Sequence, residues 1–126
     1  MEDYKGVIIE ESLKDKRVLK EIRITKTRVS PVTEEHKTPW LSQWTLHTVR
    51  IPAEKADVVV RELSRSLDES HGGSWYGDFR NDIFHFVVFR SKTFKVDIRK
   101  PEEYENARSY GRSLGIPENQ LDFTPP

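Results

Sequence analysis

Cysteine is absent from the 126 residues. That removes disulfides, zinc thiolate centres, iron–sulfur clusters and thiol nucleophiles together, and leaves His, Asp and Glu as the side chains that could hold a metal. A surplus of charge of either sign is also missing. The 21 Lys and Arg balance 21 Asp and Glu, and the pI is about 6.9. Duplex-binding proteins draw much of their affinity from neutralised phosphates, so no duplex nucleic acid is expected as a partner, although a local basic patch is compatible with the balance. Long apolar runs are lacking too: nothing approaches the ~20 residues that span a bilayer. The opening MEDYKGVIIEESL has no basic stretch leading into an apolar one, so it does not read as a signal peptide. The expectation is a soluble, cytoplasmic domain with no membrane partner.

The common catalytic motifs are missing as well. No G-x-S-x-G places a serine on a sharp turn, and Ser12, Ser30, Ser64 and Ser66 read as caps or helix-surface residues. Phosphate-loop and dinucleotide fingerprints are absent, and Gly72-Gly73 alone marks only a chain break between elements. His36, His47, His71 and His85 form no H-x-H or H-x-x-x-H pair, so neither a metal nor a cofactor is expected.

What is present is periodicity. Hydrophobic residues make up 35% and charged residues 33%, yet the apolar positions recur regularly enough for a folded chain. A chain of this length is one domain, burying roughly two-thirds of its unfolded surface. Residues 5–10 (KGVIIE) and 21–29 (EIRITKTRV) read as strands, the second alternating Ile22 and Ile24 against a basic outer face. Residues 30–39 (SPVTEEHKTP) form a long loop, read as a tolerated insertion or a binding excursion. Residues 43–51 (QWTLHTVRI) alternate as a strand that Pro52 ends. Ala56, Val59, Val60, Leu63 and Leu67 then make one face of a helix over residues 53–67. After three aromatic strands within residues 74–98, Pro101 opens a second helix to Leu114, with Glu102 and Glu103 in the first turn. The fold class is α+β: an antiparallel-rich sheet of five to six strands with two helices on one face. The central strand–strand–helix–strand run is similar in shape to a ferredoxin-like half.

Turn length then sets which side chains meet. A two-residue turn at Asn81-Asp82 would set Asp78 opposite His85, Phe79 opposite Phe84 and Tyr76 opposite Val87. Ser91-Lys92 is poor chemistry for a tight turn, and an even loop there would lay Lys95 and Asp97 among Phe84, Phe86 and Val88. Burying unpaired charge is costly, so an odd loop over residues 90–92 is expected. The second face of the sheet would then carry Tyr76, Asp78, His85, Val87, Phe89, Lys95 and Asp97, joined by His47 or Trp44.

That mixed face is the candidate site, with His47, Tyr76, Asp78, His85 and Lys95 as ligand-binding residues. The first expectation is a non-enzymatic binding or interaction module for a protein or small-molecule partner. The alternative is an enzyme in which His85, held by Asp78, is a general base with Tyr76 or Lys95 nearby. The third is single-stranded nucleic-acid binding by Tyr76 and Phe89 beside Arg23, Lys26, Arg28 and Lys95.

Three stretches carry a resemblance. They are Tyr4-Lys5-Gly6 leading to Glu11-Ser12-Leu13, Trp75-Tyr76 with Val88-Phe89-Arg90, and the closing YGRSLGIPENQLDF of residues 110–123. In these the chain resembles a group of small, uncharacterised prokaryotic proteins. The resemblance implies a compact stand-alone domain over nearly the whole chain and carries no mechanism.

Overall fold

The computed structural model describes residues 1–33, 38, 40–70 and 75–123. Six strands form one sheet: β1 (Tyr4–Ile9), β2 (Arg23–Pro31), β3 (Gln43–Ile51), β4 (Tyr76–Arg80), β5 (Phe84–Phe89) and β6 (Lys92–Asp97), in the order β2-β3-β1-β4-β5-β6. Every pairing is antiparallel. Helices α1 (Ala56–Ser66) and α2 (Tyr104–Ser113) complete a mixed α+β domain, each entered through a 3-10 turn. Because β1 lies antiparallel between β3 and β4, those two strands run parallel, and β3–α1–β4 is a split βαβ crossover. Among the described residues no helix is long and apolar enough to cross a membrane. The first two residues of the expected 30–39 loop belong to β2; His36 and His71 lie outside the described residues.

Both hairpin turns depart from expectation, with different consequences. In the first, Asn81 N–H donates to the Phe84 carbonyl at 3.0 Å, and Asn81 Oδ1 accepts from the N–H groups of Ile83 and Phe84 at 2.9 and 2.8 Å. Asn81 is therefore the first corner of the turn, a position its side chain favours, and Asp82-Ile83 are its centre. Moving the centre by one residue shifts the register by two: Arg80 stands opposite His85, Phe79 opposite Phe86 and Tyr76 opposite Phe89. An even shift leaves every side chain on its expected face.

In the second turn the loop is even, Arg90-Ser91, with Phe89 opposite Lys92 and Ser91 at φ 63°. That single change of parity moves Lys95 and Asp97 to the face of Phe84 and Phe86, and Phe94 and Val96 to the face of His85. The expected cost of buried charge does not arise, because β6 is an edge strand. Lys95 Nζ lies over the Phe84 ring at 4.5 Å and reaches to 3.9 Å from Asp57, its side chain 41% exposed.

The same parity splits the core. One cluster joins Tyr4, Ile8, Val49, Ile51, Phe79, Phe86 and Val88 to the Val59, Val60 and Leu63 face of α1. The other joins Val87, Phe89 and Val96 to Tyr104 and Ala107 of α2 and to Ile116, Leu121 and Phe123 of the tail. Neighbouring β5 residues alternate between the two, so α1 and α2 cover opposite faces instead of sharing one. Phe94 and Val96 supply the apolar surface that brings α2 to its own side.

Two glycines mark close approaches. A Cβ on Gly6 would stand 2.3 Å from the Asp78 carbonyl oxygen and 2.6 Å from the Phe79 ring, where β1 meets β4. A Cβ on Gly111 would strike Leu121 at 2.5 Å, so this glycine admits the tail against α2. Beyond Gly6 and Phe79 the strands β1 and β4 part, leaving an apolar cavity of about 200 Å³ between them.

Candidate functional site

His85 and Asp78 share a face and touch, as diagonal neighbours: Asp78 stands opposite Val87. His85 Nε2 lies 2.7 Å from Asp78 Oδ2, and its Nδ1 2.8 Å from the Tyr104 hydroxyl. A carboxylate only accepts, so the ring donates to Asp78 through Nε2–H, and Nδ1 takes the Tyr104 hydroxyl as its partner. Both nitrogens are then committed. His85 is 1% exposed, whereas Asp78 keeps 47% of its side chain in solvent. Tyr104 is buried, and burial holds its phenol above the ordinary range. An activated nucleophile needs access and a lowered pKa, and Tyr104 has neither. The Asp78–His85–Tyr104 chain is a polar clamp between the sheet and α2.

Tyr76 is on the same face, half-buried against Phe89 and Phe123, and its hydroxyl donates to the Gln120 carbonyl. Burial, then the neighbouring Asp78 and Asp122 carboxylates, push its pKa up to about 12. The unfolded chain ionises near pH 10 while the native phenol keeps its proton. Stability from this group is thus complete below pH 10 and lost as pH rises towards 12. In an alkaline titration followed by phenolate absorbance, Tyr76→Phe should remove the latest-ionising tyrosine. An unchanged late phase would assign it elsewhere.

Two expected members stand elsewhere. Lys95 is on the α1 face. His47 alternates with Val49 and Ile51 and also faces the α1 side, held by Thr27 Oγ1 at 2.8 Å and Glu10 Oε1 at 3.0 Å. Of the strand 43–51 candidates, Trp44 alternates with Leu46 and Thr48 onto the His85 side, at the end of the sheet where its ring meets Trp75 of the α1-side core. Among the described residues no group of three or more His, Asp and Glu side chains could hold a metal.

A second arrangement on the His85 face was not foreseen. Helix α2 covers β5 and β6 there, and the tail reaches Tyr76 of β4. Among the described residues, strands β1, β3 and β2 carry no second layer on that side, and Val7 is 44% exposed. Across this open shelf the register aligns Arg23 with Arg50, Arg50 with Lys5 and Lys5 with Arg80. Directly opposed side chains share a face, so four cations form a row across four adjacent strands, spanning ~14 Å at the usual strand spacing. Lys26 and Arg28 continue the charge down the β2 edge, opposite Thr48 and Leu46. None of these six enters an ion pair among the described residues, whereas Arg17, Arg65, Lys95, Arg99 and Arg112 each meet a carboxylate. Arg50 Nε is buried without a hydrogen-bond partner. At the step between shelf and tail lies a cleft of about 650 Å³, reached by Lys5, Val7, Thr48, Asp78, Arg80 and Asp122.

The row could not be read from local sequence, because its members at 5, 23, 50 and 80 meet only through the strand order. The available signal was the alternation of cations in residues 21–29. Comparison with protein-family models, curated proteins and solved structures gives no match.

Proposed function

We propose that the chain is a non-enzymatic binding module that takes an anionic ligand on the open β2–β3–β1 shelf. The row Arg23–Arg50–Lys5–Arg80 carries this reading. Like charges placed directly opposite on a sheet destabilise it by roughly 0.2–1 kcal/mol per pair, and Arg50 has such a neighbour on both sides. In a chain of zero net charge, a concentrated row with no ion pair among the described residues makes a local positive field that an anion relieves. The acid–base reading of His85 has less support, since both of its ring nitrogens are already bonded.

The test couples stability to binding. In the free protein, Arg50→Thr should raise stability by about 0.5 kcal/mol at low salt, and the gain should fade as salt screens the row. The same substitution should weaken binding of inorganic polyphosphate, followed by titration calorimetry. A destabilised Arg50→Thr protein with undiminished polyphosphate binding would remove the reading.

A further inference from the structure

We infer that the ligand of the shelf is a single-stranded nucleic acid, an inference that rests on the anionic-ligand reading above. The cations do not fill the shelf; they frame it. Arg23, Arg50, Lys5 and Arg80 run along one end, and Lys26 and Arg28 continue down the β2 edge. Inside this frame lie Val7, Ile9 and Leu46, with Trp44 beyond Leu46 at the opposite end from the row. All three apolar side chains keep solvent exposure, and Trp44 is half-buried beside Trp75, ring centroids 5.4 Å apart. Such a surface matches a ligand whose charge runs along one line and whose apolar faces hang to one side of it. A single strand has that form: phosphates on the frame, and unpaired bases on the apolar patch and Trp44.

Other polyanions fit less well. A duplex hides its base faces and would leave the apolar patch unused. The shelf is recessed, because the layer formed by α2 and the tail stands beside it by the ~10 Å of a packed layer, which holds off a flat membrane. Inorganic polyphosphate would use the frame alone. The cleft that Lys5 and Arg80 reach is also lined by Glu2, Asp3, Asp78, Asp82 and Asp122, so carboxylates meet the row at its Lys5–Arg80 end. Those carboxylates end the phosphate path there and keep the footprint on β2, β3 and β1.

The experiment is fluorescence anisotropy of a labelled single-stranded oligonucleotide of about ten nucleotides, beside its duplex, inorganic polyphosphate of matched charge, and anionic vesicles of phosphatidylserine. Neutralising four phosphates on a single strand gives a slope of log K against log salt of about −3, and Lys5→Gln with Arg50→Thr should bring it to about −1.5. Trp44→Leu should weaken the single strand about tenfold and leave polyphosphate binding unchanged. Val7→Thr, an uncharged and near-isosteric change at a position 44% exposed, should also weaken the single strand and leave polyphosphate binding unchanged, and it covers the case in which Trp44→Leu fails to fold. If polyphosphate matches the single strand and neither patch variant discriminates them, the nucleic-acid inference is overturned while the anionic-ligand reading stands. Equal or tighter binding of duplex or vesicles also overturns it. If no anion binds, both readings fall.

Discussion

Phe89→Ala should lower the stability of the domain by about 4 kcal/mol, a large share of the ~5–15 kcal/mol that holds a domain of this size. Phe89 is fully buried, with its ring centroid 5.1 Å from Tyr110, 5.7 Å from Tyr76 and 6.0 Å from Phe94. It stands at the centre of the smaller core, and the tail and α2 meet the sheet through it. Ser64 Oγ also donates to the Phe89 carbonyl at 2.5 Å, so the same residue ties α1 to β5 from the other side. The rings around it cannot collapse into the space of a phenyl group without breaking their own contacts, and the cavity adds to the lost transfer energy. Urea unfolding followed by circular dichroism reads the change. A loss under about 1.5 kcal/mol would mean that α2 is held by something other than this core.

The second large effect is expected at His85. His85→Leu removes both bonds of the imidazole. Asp78, half in solvent, can turn to water, but the Tyr104 hydroxyl is buried and keeps no partner. An unsatisfied buried group of this kind costs about 1–3 kcal/mol, and with the lost hydrogen bonds a total near 3 kcal/mol is expected. Replacing both partners with apolar groups is far cheaper than replacing one. Tyr104→Phe combined with His85→Leu should therefore recover most of the loss. Polyanion binding by the single variant, measured below its unfolding transition, should be close to that of the parent chain. If His85→Leu instead folds normally and loses binding, His85 belongs to a ligand site and the clamp assignment is wrong.

How far the sequence carried the fold depends on the range of the forces involved. The strand 43–51, the helix after Pro52 and the helix after Pro101 are written in local periodicity and caps, and they form within a few residues of where the pattern places them. The turns are less legible. Asn81 was read as a turn centre for its tolerance of left-handed angles, but no described non-glycine residue other than Ser91 has positive φ. Asn81 instead uses its side chain as the first corner. Ser91 adopts the left-handed conformation despite its side chain, and a one-residue difference there moved Lys95 and Asp97 across the sheet. The cost of burying Lys95 depends on strand order, since β6 is an edge, where a long side chain reaches solvent past two aromatic rings.

The candidate site divides along the same line. The contact between His85 and Asp78 was legible, because it follows from parity around one turn, and an error of two residues in register preserves parity. Its partner Tyr104 was not, since nothing local tells which face α2 will cover. His47 required the orientation of β3, which only the α1 core decides. The cation row needed the pairing of β1 with both β3 and β4, contacts between residues tens of positions apart, and its members look in sequence like unrelated surface charges.

The most direct measurement is the mapping of backbone amide chemical shifts during titration with inorganic polyphosphate. The expected result is a set of saturable shifts confined to Lys5–Ile9, Arg23–Arg28, Leu46–Arg50 and the neighbourhood of Arg80, weakened at higher salt and reduced by Arg50→Thr. Shifts centred on α1 or on the β6 edge, or none at concentrations where the chain stays folded, would contradict an anion-binding shelf on β2, β3 and β1.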